Sequence, residues 1–209
     1  MSKILNILKE TNTIITNSHF VYTSGKHGSI YINKDIIYTH PKKASEVGKL
    51  FAKSFKDFDI DVVAAPSLGG IVLSQWTAYH LSKLKNQNVL SVYTEKTHNK
   101  DQVFRRGYDK IVKGKNVLVI EDLTTTGESV KKVVKSVEKA GGFVIAVGVM
   151  INRDPKNVNK KTIGEPFFSL GVFKADSFDE DKCPLCKKNI PINTTVGHGK
   201  KFLKIATNR

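Results

Sequence analysis

Four aliphatic residues, Val117 to Ile120, run into two adjacent acids, Glu121 and Asp122. A turn of hydroxyls and glycine follows, Leu123-Thr124-Thr125-Thr126-Gly127-Glu128-Ser129. A stretch that is apolar on both faces reads as a strand buried inside a parallel sheet. The helical pattern from about Ser129 puts the turn at a helix amino terminus, where free N–H groups and the helix dipole favour an anion. The segment therefore requires a βα unit whose carboxyl end carries both acids and an anion cradle. Such a place suits a ligand with sugar hydroxyls and a phosphate. Thr124, Thr125, Thr126 and Ser129 supply hydroxyl donors, and Gly127 allows close backbone approach. Glu121 and Asp122 can accept from vicinal hydroxyls and support a cationic sugar carbon. Neighbouring strand residues face opposite ways, so the two acids form a facing acid–base dyad only if the backbone turns there. A Walker loop is excluded because Glu128, not lysine, follows Gly127, and no G-x-G-x-x-G opens a helix.

The rest of the chain repeats the βα rhythm. Strands are expected at 61–65, 89–93, 117–120 and 143–151, with helices over 71–84 and from about 129 to 140, the last stopped by Gly141-Gly142. Pro41 opens a further helix to about Phe55, and residues 3–10 read as a short amphipathic helix. Residues 20–38 read as turn-linked strands around Ser24-Gly25 and Gly28-Ser29. Strands separated by helices imply an α/β fold: a five-stranded, mainly parallel sheet flanked by helices. Ligands of such sheets bind beyond the carboxyl ends of the strands. Here those ends carry the loops 66–70, 121–129 and 152–155. Three units are expected: residues 1–40 as an amino-terminal helix and hood, 41–175 as the core, and 176–209 as an appendage.

Residues 94–116 break the rhythm. They carry Lys96, His98, Lys100, Arg105, Arg106, Lys110, Lys113 and Lys115 with little apolar content. A connection this long inside a compact domain is usually functional or disordered. Val103-Phe104 and Gly107-Tyr108 are expected to form a swinging hairpin, a basic lid over a polyphosphate. Across the whole chain 34 Lys and Arg face 19 Asp and Glu, a net charge of +15. That balance fits polyanionic partners, and fits equally a solvated surface rich in Lys and Asn. No apolar run approaches the ~18 residues of a membrane span, and the start lacks a signal-peptide core. The expectation is a cytoplasmic protein. Two cysteines, Cys183 and Cys186, give no disulfide framework.

The segment 117–129 resembles the phosphoribosyl-pyrophosphate signature of type I phosphoribosyltransferases, and the similarity extends over roughly residues 15 to 175. The resemblance implies that Glu121 and Asp122 contact the ribose hydroxyls and that residues 123–129 hold the 5′-phosphate. Within that family the chain looks most like the orotate phosphoribosyltransferases. Residues 20–35, F-V-Y-T-S-G-K-H-G-S-I-Y-I-N-K-D, are similar to the family's hood, with Lys26 and Tyr31 toward the substrate and the base covered near Tyr31-Ile32. Arg153, in Asn152-Arg153-Asp154, matches an arginine that grips the orotate carboxylate, a pairing suited to a planar guanidinium. Thr125 matches a second orotate contact. Two departures stand out. Thr23 replaces a common lysine, and no lysine accompanies Gly69 and Gly70, whose loop can still offer backbone N–H groups to pyrophosphate. Lys96, Arg105 and Arg106 stand where the family has a denser Lys–His cluster.

The implied reaction is transfer of phosphoribosyl from phosphoribosyl pyrophosphate to orotate, giving orotidine 5′-phosphate and pyrophosphate. Mg²⁺ rides on the donor without direct protein ligands. The implied assembly is a homodimer, with no membrane and no nucleic acid among its partners. Two alternatives stay open: a salvage enzyme for a purine or uracil, and a donor-sensing regulator that binds nucleic acid. In the tail, the C-P-L-C of Cys183 and Cys186 supplies two of the four ligands a structural zinc takes, with His198 as a candidate third. Two buried thiols at a knuckle turn are the competing reading. His19, His27, His40 and His80 show no metal-ligand spacing.

Overall fold

A computed structural model describes residues 2–206. Met1 and residues 207–209, the outermost positions of the expected hood and appendage, lie outside that range. The chain begins with α1 (Lys3–Glu10), β1 (Ile14–Ile15), β2 (Phe20–Val21), β3 (His27–Gly28), β4 (Tyr31–Ile32) and α2 (Asp35–Tyr38). There follow α3 (Pro41–Ser54), β5 (Val62–Pro66), α4 (Gly69–Lys85), β6 (Leu90–Lys96), β7 (Gln102–Phe104) and α5 (Tyr108–Val112). The remainder comprises β8 (Asn116–Thr124), α6 (Glu128–Lys139), β9 (Phe143–Asn152), α7 (Lys160–Ile163), β10 (Phe167–Val172), α8 (Pro184–Lys187) and α9 (Gly199–Ala206).

The main sheet runs β10-β9-β8-β5-β6-β7. Its first five strands are mutually parallel, and β7 closes the edge antiparallel to β6. Because side chains alternate along a strand, each strand feeds two cores. On β8, Val117 and Val119 face the valines of α6 (Val130, Val133, Val134 and Val137). Leu118 and Ile120 face the opposite core with Phe51, Phe55, Leu73 and Met150. Each fully buried aliphatic contributes roughly 1.5 kcal/mol or more. The two cores therefore fix the register of β8, and with it which acid points to which face: Glu121 toward α6, Asp122 toward α4 and the hood.

The mainly parallel sheet flanked by helices matches expectation, with four of its parallel strands where the sequence places them; it has six strands, and three local readings need correction. Residues 36–38 form helix α2 rather than a strand; alternating apolar residues over so short a stretch do not separate the two periods. The hairpin in the basic segment is β6 with β7, turning over 97–101, so that Val103 and Phe104 pair with Glu95 and Thr94. Gly107, at φ +77°, caps α5 instead of pairing with Val103. Strand β10 was not expected. Its sequence, FFSLGV, lies beyond a loop with no regular period, and it becomes a strand by parallel pairing with β9.

The tail wraps the hood. Phe178 and His27 exchange main-chain hydrogen bonds of 2.8 and 2.9 Å, and the Asn193 and His198 N–H groups donate to His19 and Val21 carbonyls. No helix among the described residues is long and apolar enough to cross a membrane.

Candidate active site

Both acids lie at the carboxyl end of β8 and are buried. Asp122 Oδ2 accepts from Lys34 Nζ at 2.6 Å and from Tyr38 Oη at 3.1 Å. Glu121 Oε1 accepts the Asp122 N–H at 2.9 Å. Burial and then the Asp122 charge push the Glu121 carboxyl up to about 8, against the opposing pull of the Asp122 N–H and the Ser129 hydroxyl. Burial opposes the Lys34 charge, but Asp122, by its charge and its hydrogen bond, holds that ammonium above its ordinary value. Burial and the Asp122 charge also push the Tyr38 phenol far up, so it stays a donor at any working pH. The acids thus do not form a facing dyad: one is met by the hood, the other by the start of α6.

Lys34 and Tyr38 were missed at the sequence level, and the reason is geometric. Four residues span about 13 Å along a strand. On a helical turn they become neighbours about 6 Å apart. Reading 36–38 as a strand separated two side chains that α2 brings onto one carboxylate oxygen.

The turn after β8 behaves as a partly self-capped cradle. Thr124, buried, accepts the Gly127 N–H on Oγ1 at 3.1 Å, and Thr126 Oγ1 takes the Glu128 N–H at 3.5 Å. Two of the N–H groups expected to face a phosphate are therefore bound by the turn's own hydroxyls. Among the described residues the Thr125 and Thr126 amides have no acceptor. Gly127 takes φ +77°, a conformation that favours glycine, and α6 begins at Glu128 with Ser129 exposed behind it. Leu123 turns back into the core and is half-buried.

The turn from β5 into α4 lies directly against Asp122. A side chain at Gly69 would overlap Asp122 Oδ2 and approach Lys34 Nζ to 3.0 Å, and one at Gly70 would meet Ala65 at 2.8 Å. Gly69 thus brings backbone, rather than a side chain, beside the Asp122 carboxylate.

Arg153 and Thr125, placed on different loops, line one cavity of about 340 Å³ with Asp154, Lys156, Lys174, Ala175 and Ser177. The Arg153 guanidinium lies 4.8 Å over the Tyr22 ring of the hood, a cation–π contact that orients the fork. The Arg153 N–H donates to the Thr124 carbonyl at 2.9 Å, tying this loop to the turn after β8. Tyr31, half-buried, packs on Phe20 with ring centroids 5.4 Å apart. Lys26 points to the tail, pairing with Asp179 at 3.5 Å.

The basic segment does not reach this cradle. Arg106 and Arg105 pair with Glu95 at 2.9 and 3.8 Å, and both are largely exposed. Lys96 ends β6, opposite Gln102. Lys132 of α6 holds the 97–101 turn through the Lys100 carbonyl at 2.7 Å. Among the described residues no hydrogen bond or ion pair joins Lys96, Arg105 or Arg106 to residues 121–129.

In the tail, both cysteines are free thiols. His198 is not their partner: its Nε2 lies 3.0 Å from Thr23 Oγ1. His19 and His27, which have no ligand spacing in sequence, are the two histidines that meet Cys183 and Cys186. The hairpin of β2 and β3 makes the meeting, and linear spacing cannot show it.

Comparisons with known proteins identify the family and the fold. Residues 33–165 match the phosphoribosyl transferase domain family. The orotate phosphoribosyltransferase of Caldanaerobacter subterraneus subsp. tengcongensis is 35% identical over 190 residues, covering 91% of this chain and 94% of that protein. Its counterpart from Thermotoga maritima is 34% identical over 198 residues, covering 95% and 100%. Among solved structures, a Mycobacterium tuberculosis orotate phosphoribosyltransferase in complex with 5-phospho-alpha-D-ribosyl 1-diphosphate aligns with a TM-score of 0.62 at 20% identity, over 81% of this chain and 94% of that one. An adenine phosphoribosyltransferase from Thermoanaerobacter pseudethanolicus aligns with a TM-score of 0.61 at 20% identity, over 81% and 99%. At that identity the structural likeness speaks for the fold alone.

Proposed function

The chain belongs to the phosphoribosyl transferase family, and we propose that it transfers the phosphoribosyl group of phosphoribosyl pyrophosphate to a ring nitrogen of orotate, releasing pyrophosphate and orotidine 5′-phosphate. One observation carries the choice of base. Arg153 and Thr125 line a single cavity, so a cation suited to a planar carboxylate sits beside the turn suited to the sugar phosphate. A neutral purine or uracil would leave that guanidinium without an anion.

In this reading the nitrogen lone pair forms a bond to the anomeric carbon while the bond to the pyrophosphate oxygen breaks. Positive charge builds on the sugar as it does so. Glu121 and Asp122 lie where that charge develops, and a low-dielectric site makes their effect large. The free amides of Thr125 and Thr126, with Ser129 and the dipole of α6, hold the 5′-phosphate. Gly69 and Gly70 present backbone to the pyrophosphate. Lys96, Arg105 and Arg106 neutralise it as it leaves. No covalent nucleophile is required.

Mg²⁺ is part of this reading. The acids fit an ion that arrives on the donor: Asp122 Oδ2 is held by Lys34 and Tyr38, and Glu121 Oε1 by a backbone N–H. The ion would take its ligands from donor oxygens and water and would offset pyrophosphate charge. A homodimer also belongs to the reading. Its support is that the arginines of the basic segment pair with Glu95 and lie away from their own cradle, which leaves them free to serve a site across a subunit interface. Residues 1–40 then act as hood, 41–175 as catalytic core and 176–209 as appendage.

The test is pyrophosphate release from Mg²⁺ and donor across a panel of bases, with orotate expected to be the preferred acceptor. Arg153→Ala removes a charge-assisted pair worth about 1.5–3 kcal/mol. It should raise the KM for orotate by about 10–100-fold and leave that for the donor within about threefold. Equal loss of both, or preference for a neutral base, refutes the assignment.

A further inference from the structure

Four side chains far apart in sequence converge between hood and tail. His19 precedes β2, His27 opens β3, Cys183 caps α8 and Cys186 lies within it. One imidazole nitrogen or thiol sulfur from each lies within 4.8 Å of every other. His19, His27 and Cys183 are at most 1% exposed.

The distances are those of a coordination polyhedron. Tetrahedral zinc, with Zn–N of about 2.0–2.1 Å and Zn–S of about 2.3 Å, sets N···S edges near about 3.6 Å and N···N edges near about 3.4 Å. Cys186 Sγ lies 3.3 Å from His27 Nδ1 and 3.7 Å from His19 Nε2, and Cys183 Sγ lies 3.7 Å from His19 Nε2. The two imidazole nitrogens are 2.9 Å apart, an edge that must open by about half an ångström.

Protein contacts alone do not satisfy this cluster. His19 Nδ1 lies 2.8 Å from the Ile190 carbonyl, which fixes its proton there and turns the Nε2 lone pair inward. A backbone carbonyl holding the outer nitrogen is the usual support of a metal-bound histidine. If His27 instead donated from Nδ1 to that lone pair, its own Nε2 would be left as a buried acceptor; with a metal on Nδ1 it becomes a donor, on a ring that lies edge-to-face with Phe202 at 5.0 Å between centroids. That atom has no partner among the described residues. The thiols are not joined to each other.

We propose that His19, His27, Cys183 and Cys186 bind one structural zinc ion that staples the tail onto the hood. All four positions of a tetrahedron are filled by protein, which closes the site to water and to catalysis. Its effect reaches the substrate cavity through covalent neighbours. Tyr22, between the two histidines, carries the Arg153 contact. Lys174, Ala175 and Ser177, just before the cysteines, line the same cavity.

The experiment needs no assumption about the reaction. The full chain, made without a histidine tag and kept free of chelators, is assayed for zinc by plasma mass spectrometry. About one zinc per chain is expected. Exchange with Co²⁺ should give tetrahedral d–d bands and a thiolate-to-cobalt charge-transfer band. Cys186→Ser should lose about half of that band, since one of two thiolates is gone. Zinc below about a tenth of an equivalent, together with an octahedral cobalt spectrum, overturns the proposal. So does a full equivalent of metal retained unchanged by a folded Cys183→Ser, His27→Ala double variant. Should the variants fail to fold, metal content and the wild-type cobalt spectrum still decide.

Discussion

Glu121→Gln measures what it costs to keep an acid in this cradle. Burial and the neighbouring Asp122 raise Glu121 to about 8, from an ordinary value near 4.5. Over the interval between those values the folded chain keeps a proton that the unfolded chain has released. Stability therefore falls as pH rises from about 4.5 to about 8 and is level above that. At about 1.4 kcal/mol per unit, the penalty is at most about 5 kcal/mol. Water drawn toward the ionised group reduces it to roughly 2–3 kcal/mol. Glutamine keeps the shape and removes the ionisation, so subtracting the wild type cancels the titrating groups that do not interact with Glu121. In a chain of this size 1 kcal/mol moves Tm by about 2–4 °C. The difference between variant and wild type should be near zero around pH 5 and reach about +5 to +10 °C around pH 9, read by differential scanning calorimetry of unliganded protein. Above about pH 8, where the wild-type carboxyl is ionised, the same change should lower kcat by about a hundredfold or more, because a neutral amide cannot support a cationic sugar carbon. A Tm difference that does not vary with pH, or that becomes negative on the alkaline side, refutes the reasoning.

Two further changes test the setting of Asp122. Lys34→Met leaves a buried carboxylate with Tyr38 as its remaining side-chain donor. Breaking a buried pair costs about 3–5 kcal/mol, and the partial exposure of Lys34 reduces this to about 1–2 kcal/mol in urea unfolding at neutral pH. Because the Lys34 value is raised, the gap to wild type should persist at neutral pH and close as pH climbs above the ordinary lysine range; a gap that widens there contradicts the pairing. Gly69→Ala puts a methyl on Asp122 Oδ2, so donor affinity measured by calorimetry should fall about tenfold or more, with a stability loss of about 1–3 kcal/mol. Unchanged donor affinity would mean that the Gly69 loop and Asp122 do not share the ligand.

The parallel layer was legible because its signals are local. Apolar runs mark β5, β8 and β9, Pro41 marks the start of α3, and the hydroxyl turn marks the start of α6. Each is a property of a few consecutive residues, and the cores on both faces of β8 reinforce it. Strand β10 was not legible, because its identity comes from its neighbour: Phe167 to Val172 become a strand by lying beside β9. The orientation of Glu121 and Asp122 followed from strand alternation alone. Their partners did not.

What escaped the sequence is pairing across distance. Lys34 reaches Asp122 over 88 residues, and His19 reaches Cys183 over 164. No periodicity spans such separations. In both cases the hood supplies the partner, and in both the group it meets would otherwise be costly: a buried carboxylate in one, buried imidazoles and thiols in the other. A hood built from two-residue strands has little hydrogen-bonded ladder of its own. Its placement must therefore come from what it touches, the acid on one side and the tail on the other. Tyr22 lies between these anchors, with Arg153 against its ring, so the position of that arginine in its cavity depends on contacts that hold the hood at both ends.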